Sequence, residues 1–466
     1  MKKKRVKIPR SLSIFTLAMI NVAALGSVKS WPFTAEFGLS SLFYFIVAAL
    51  VFFFPVSLVS AELATGWPKK GGVYLWVREA FGAKWGFLAA WLQWTENVVW
   101  YPTILSFTAA TIAYIIDPTL SQNAIYTVVV VLVLFWGATI SNLFGMKASG
   151  WISNIGAICG TLIPGAVIIT LGILWWLSDS PQHITFSMDH FLPDLTLSHM
   201  VFFTGLLLSF GGMEMSAVHA LDVQNPRKNY PRAILLSAVI ILVLSILGVL
   251  SIATVIPRSD ISLTAGTMQA FSVFFSKYNL TAFLPLIAAI MAVGLFGSVS
   301  TWIIGPTKGL LAAAEEGHLP RFFQKTNKHN APINLLLVQA ILVTVLSLMF
   351  LFMPTISSSF WILTVLAAQL YLFMYLLMFA AALYLRYKKP DIERPYRVPG
   401  GNLGMWIICG VGFLGSAFAL IIGYVPPALL ETGSPRFYTG FLLTGSFIGC
   451  IIPFLILRFE KPSWKK

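Results

Sequence analysis

Twelve apolar runs, at about residues 12–36, 39–64, 86–116, 124–145, 150–178, 199–222, 232–256, 283–312, 333–354, 359–387, 404–425 and 438–458, constrain this chain more than any other feature. Each is long enough to cross a hydrocarbon layer about 30 Å thick, which takes about 20 helical residues. Lipid offers no partner for backbone N–H and C=O groups, so runs of this kind have to satisfy themselves as helices. Composition agrees: 58% of residues are hydrophobic and 10% charged, against about a quarter charged in soluble domains. The mean hydropathy is +0.83. The sequence therefore predicts an all-α membrane protein with twelve transmembrane helices. The first run lacks a small-residue cleavage site followed by soluble chain, so it reads as a retained span.

A net charge of +14 invites a nucleic-acid reading, but the positions of the charges argue against it. With the N-terminus placed in the cytoplasm, 27 of the 31 basic residues fall on that side: the tail from Lys2 to Arg10, the 66–85 loop, Lys147, the segment around Arg227, the 308–328 region, the 386–397 loop and the C-terminus. Arg258, Lys277 and Arg436 face outward, and Lys29 lies inside the first span. The outer segment 179–198 has three Asp and no Lys or Arg. This asymmetry is the positive-inside signature, and it implies both termini in the cytoplasm. Cys159, Cys409 and Cys450 lie in apolar runs without metal or redox spacing.

The chain divides into a basic tail (1–11), spans 1–5 (12–178), spans 6–10 (199–387), spans 11 and 12 (404–458) and a closing tail (459–466). Two spans are interrupted, near "NVAALGSVKSWP" (21–32) and at Gly211-Gly212. The breaks stand five spans apart, which predicts two five-helix halves of inverted topology with two helices appended. Paired broken segments of this kind point to a transporter's binding site at the membrane midplane. The outer segment 262–277 has helical periodicity, as a helix lying along the surface or a plain connector.

Ionisable groups inside a membrane are costly and open functional hypotheses. Lys29 could face a central cavity or snorkel outward near Trp31. Glu96, flanked by Gln93 and Asn97 in one polar stripe, could pair with Lys29. Glu62 reads as structural, capping its loop or pairing with Lys69 or Arg78. Glu214, just past the glycines, could organise the break or carry a proton, and His219 could titrate near neutrality or be a satisfied core residue. Tyr371 and Tyr375 lie four apart on one helix face. No His-Glu-x-x-His, Gly-x-Ser-x-Gly or P-loop occurs, so nothing suggests ATP use or an enzyme, a cofactor or a bound metal.

The stretches "SAELATGWPKKGGVYLWVREAFG" (60–82), "GGMEMSAVHALDVQNPRKNYPRA" (211–233) and "STWIIGPTKGLLAAAEEGHLP" (300–320) resemble the amino acid–polyamine–organocation (APC) superfamily, and within it the bacterial glutamate/GABA antiporters. "IPRSDISLTAGTMQAFSVFF" (256–275), "YLFMY" (371–375) and "KKPDIERPYRVPGG" (388–401) extend the resemblance over about residues 12–458. It implies the five-plus-five APC fold and alternating access, with Glu214, His219, Trp302, Tyr371 and Tyr375 lining or gating the pathway. Three departures stand out. Lys29 replaces a tyrosine, Ser298 replaces a pathway glutamate, and the chain stops about eight residues after its last helix, so the family's tail plug is expected to be absent.

The sequence thus reads as a bacterial inner-membrane amino-acid antiporter, with a small amino acid and its exchange partner as ligands and oligomeric state left open. Substrate backbone groups are expected at Ala24, Gly26, Ser27 and Lys29 and at Phe210, Gly211, Gly212 and Glu214, walled by Trp302, Tyr371 and Tyr375. Glu96, Glu214 and His219 are the proton or gating candidates. Proton- or sodium-coupled uptake is the alternative, the latter through hydroxyls at Ser298, Ser300 and Thr301; a sensor without flux is a third reading.

Overall fold

The computed structural model describes residues 13–68, 71–144, 156, 158–193, 195–216, 224–428 and 430–465. The expectations placed on the basic tail, Lys69, Lys70, Lys147, His219, Asp222 and Lys466 lie outside them. Among the described residues the structure is helical, with one isolated bridge, Thr326 to Pro332, and no strand.

In chain order the helices are α1 (Ile14–Leu25), α2 (Trp31–Ala35), α3 (Ser41–Ala48), α4 (Phe54–Gly66), α5 (Val73–Phe81), α6 (Ala83–Ile116), α7 (Ala124–Leu143), α8 (Ile163–Trp176), α9 (Phe202–Ser209), α10 (Met213–Ser216), α11 (Pro226–Val255), α12 (Gly266–Lys277), α13 (Leu284–Ala313), α14 (Ile333–Ser347), α15 (Ile356–Lys388), α16 (Gly401–Ile422) and α17 (Pro435–Arg458). Ten helices in this set, counting α3 and α4 as one, are long and apolar enough to cross a membrane. The first and sixth spans are each broken, α1 giving way to α2 and α9 to α10, the latter described as far as Ser216. α3 and α4 are joined by a wide turn at Ala49–Phe53, just before Pro55, whose missing N–H cannot continue the helical ladder.

α6 and α15 are the most enclosed of the long helices and pack against each other, with α13 also against α6. α16 and α17 are the least enclosed together with α7 and lean on α15 and α6 from outside. Small residues set the closest approaches. A Cβ on Gly294 of α13 would sit 2.0 Å from the Gly160 nitrogen, so only glycine lets these two backbones meet.

Three local expectations change. "NPRKNYPR" reads as a basic loop, but α11 begins at Pro226, with Asn225 left-handed (φ +49°) ahead of it. Proline at the first helical position is preset for the helix and loses no bond there, so the run starts a helix rather than ending one. Among the described residues Glu62 pairs not with Arg78 but with two other arginines: its carboxylate meets Arg386 at 2.5 Å and Arg394 at 3.5 Å, and accepts the Val398 N–H at 2.7 Å. This cluster ties the 389–400 segment to α4 and α15. α12 is more than a surface connector: it buries Met268, Phe271 and Phe274, and the Thr267 hydroxyl reaches the Val28 carbonyl at 3.4 Å.

The Glu62 cluster gives the first prediction. Glu62 and Arg386 are nearly fully enclosed, and removing one partner of a buried pair costs about 3–5 kcal/mol. Glu62→Ala should therefore lower the unfolding temperature in detergent by several degrees, read by size-exclusion after heating; an unchanged midpoint would contradict the role assigned to the cluster.

Candidate functional site

The two helix breaks lie side by side: a Cβ on Gly212 would stand 3.4 Å from the Leu25 side chain, and both breaks line one cavity. At the first, α1 ends at Leu25, Val28–Ser30 makes a tight turn, and α2 restarts with Pro32 in its first turn. The carbonyls freed there are met by side-chain hydroxyls, two from elsewhere and one from the turn itself: Thr161 donates to Gly26 O at 2.9 Å, Thr267 to Val28 O, and Ser30 to Ser27 O at 3.1 Å. Non-helical backbone at membrane depth persists only where protein or a water-filled cavity satisfies it.

At the second break, the chain turns through Phe210, Gly211 and Gly212 between α9 and α10. Gly212 has φ +114°, a conformation that side-chain-bearing residues rarely adopt. Its Cβ would lie 2.8 Å from the Trp302 ring, and one on Gly211 would lie 2.8 Å from the Tyr371 ring. The glycine pair thus serves two ends: it turns the chain and lets two aromatic side chains close on its backbone.

Directly after the turn stands Glu214, 2% exposed. Its carboxylate accepts hydrogen bonds from the Tyr371 hydroxyl, from the Tyr375 hydroxyl at 2.6 Å and from Gln93 Nε2 at 3.0 Å. The Gly212 N–H donates to the Tyr375 oxygen at 2.8 Å. Tyr375 therefore bridges the turn and the carboxylate, and the two tyrosine rings pack at 4.6 Å. Bonds to a charged group contribute about 1.5–3 kcal/mol each, so three donors hold a carboxylate that lipid would otherwise expel.

Above this hub lies a cavity of about 80 Å³, lined by both breaks (Ser27, Lys29, Gly211), by Glu96, Asn97 and Trp100 of α6, and by Trp302, Thr364 and Tyr371. Lys29 is inside the protein, 5% exposed. Its ammonium donates to Thr103 Oγ1 at 2.6 Å and lies 5.2 Å from the ring centres of Trp100 and Phe360. Glu96 accepts from Asn97 Nδ2 at 2.7 Å and lines the same cavity as Lys29. Among the described residues Lys29 and Glu96 share a cavity without a direct ion pair. On the α2 side, Phe33 packs on Trp361 at 5.7 Å.

Of the residues singled out from sequence, Ser27, Lys29, Glu96, Gly211, Trp302 and Tyr371 line the cavity. Gly212, Glu214 and Tyr375 are joined to one another by hydrogen bonds and reach the cavity through Tyr371, while Gly26 accepts from Thr161. Phe210 packs on Phe45 and Phe53. The Ala24 and Thr301 side chains and His219 are not among the described features. The Ser300 hydroxyl, a sodium-ligand candidate, accepts from Asn142 at 3.1 Å and so serves helix packing. Thr103, Trp100 and Phe360 escaped the sequence reading. The first two extend the stripe of Gln93, Glu96 and Asn97 at helical spacing, a signal that was available; Phe360 had none.

A cavity between two broken helices of an apolar bundle, with a lysine and a glutamate in its lining, fits a membrane carrier of small molecules. The sequence profile of the amino acid permease family matches residues 11–447, and the chain belongs to that family, within the APC superfamily. It is 45% identical to a transporter of Legionella pneumophila over 96% of both chains. It is 34% identical to a glutamate/gamma-aminobutyrate antiporter of Lactococcus lactis over 96% of this chain and 90% of that one. A probable agmatine/putrescine antiporter of the same species is 25% identical over 96% and 94%.

The second break is open to a direct test. Gly212→Ala forces a side chain onto a left-handed backbone, a strain of about 1–3 kcal/mol, and presses it against Trp302. Transport per molecule in the membrane should fall at least tenfold while insertion persists; wild-type rates would remove the break from the transport cycle.

Proposed function

We propose that this protein is an amino-acid exchanger working by alternating access in the bacterial cytoplasmic membrane, with twelve spans, both termini inside, and a five-plus-five inverted repeat around the two breaks. The observation that carries the reading is the pairing of the breaks over one small cavity, with a buried carboxylate fixed beneath it. An amino acid's charged ends would meet backbone groups around Ser27–Lys29 and Gly211, with Glu96 and Lys29 as the nearest fixed charges. Trp302 and Tyr371 form walls that a bound side chain would contact.

Glu214 would couple the site to the bundle. Tyr371 and Tyr375 belong to α15, Gln93 to α6 and Glu214 to α10, so movement of the broken helix against the other two has to remake these bonds. Exchange of an amino acid for a related amino acid or amine is favoured over uptake alone because one relative spanning nearly the whole chain is a glutamate/gamma-aminobutyrate antiporter and another a probable agmatine/putrescine antiporter. Sodium coupling has less support, since Ser300 is engaged by Asn142.

Counterflow in proteoliposomes tests the proposal. Vesicles loaded with an unlabelled amino acid or its decarboxylation product should accumulate labelled amino acid, and empty vesicles should not; no counterflow across the panel at acidic and neutral pH would overturn it. Glu214→Gln should reduce counterflow at least tenfold with the protein still inserted and monodisperse, and wild-type flux in that variant would exclude the carboxylate from the cycle.

A further inference from the structure

We infer that the Lys29 side chain is a tethered occupant of an ammonium site inside the transport cavity, and that its presence there makes the carrier reject substrates bearing a second amine. The inference rests on the exchange reading above and adds the residue that sets its selectivity.

The surroundings of Lys29 Nζ are those a primary ammonium requires. Two aromatic faces, Trp100 and Phe360, stand at equal distances of 5.2 Å, within the range of cation–π attraction. The third partner is a prepared acceptor: the Thr103 hydroxyl donates its own proton to Trp100 O at 2.7 Å, which leaves its lone pairs for the ammonium at 2.6 Å. The fourth component, Glu96, lines the same cavity and is oriented by Asn97. Trp100, Thr103 and Glu96 share α6, and Phe360 is fully buried at the facing end of α15. The cage therefore belongs to the rigid centre of the bundle. Lys29 belongs to the turn between α1 and α2 and reaches into it.

Two consequences follow. A zwitterionic or acidic substrate in the neighbouring cavity meets one resident positive charge balanced by Glu96. A diamine or other dication would have to set its second cation beside the Lys29 ammonium in a low-dielectric site, where like charges repel far more than in water. Rejection is built in by repulsion and by prior occupancy rather than by a missing contact.

The experiment compares wild type with Lys29→Ala and Lys29→Met in counterflow, using the best zwitterionic amino acid from the panel and labelled 1,5-diaminopentane. Wild type should exchange the zwitterion and exclude the diamine. K29A, which vacates the cage, should exchange the diamine at least tenfold faster than wild type does, and Glu96→Gln added to it should remove the gain. K29M, whose apolar stem still fills the cage, should show no gain. Independently of transport, millimolar ethylammonium should raise the unfolding temperature of purified K29A and leave wild type and K29M unmoved. Lys29→Ser, compatible with the turn between Ser27 and Ser30, is the second variant if K29A does not fold. A folded K29A or K29S with neither diamine exchange nor an ethylammonium shift overturns the inference while leaving the exchanger itself intact; absence of wild-type counterflow would instead strike the functional proposal.

Discussion

A carboxylate buried at the middle of a membrane protein is the constraint around which the rest of this structure is arranged. Glu214 is 2% exposed and stands two residues beyond Gly212. Charge at that depth is tolerated only where the protein itself replaces water. Three donors from α6 and α15 do so, and those are the most enclosed helices of the bundle. Because Tyr375 also accepts the Gly212 N–H, the same hydroxyl that satisfies the charge fixes the broken backbone. Charge, turn and central helices form one mechanical unit.

The first break is stabilised by different means. Its carbonyls are met by neutral hydroxyls on three elements, Thr161, Ser30 and Thr267, and its charge is a cation in an aromatic cage. One side of the cavity is therefore held by neutral bonds and an ammonium, the other by an anion with aligned donors. Such a pair of unlike ends suits the zwitterionic ligand of the proposed function.

Much of this was legible in the sequence because the signals are local. Apolar runs report membrane helices through their length alone, the glycine doublet reports a turn, and the spacing of Gln93, Glu96 and Asn97 reports one polar helix face. What escaped depends on distant partners. Glu62 finds Arg386, 324 residues away on α15, and Arg394 on the segment that follows, rather than the nearby Arg78. Lys29 finds Thr103 and Phe360 rather than an ion pair with Glu96, because the bundle places an acceptor and two rings at the end of its stem. The helix starting at Pro226 was hidden by a proline-rich, basic composition that ordinarily marks a loop.

The account's central claim is that the cavity between the two breaks is the transported ligand's site, reached from one side of the membrane at a time. Cysteine accessibility at Thr364, a cavity-lining position on α15, tests it most directly. In a background with Cys159, Cys409 and Cys450 replaced, a Thr364→Cys protein should react with a membrane-impermeant thiol reagent in both right-side-out and inverted vesicles, and the exchanged amino acid should slow both reactions. Reaction from one face only, unaffected by any amino acid that the protein exchanges, would contradict the account.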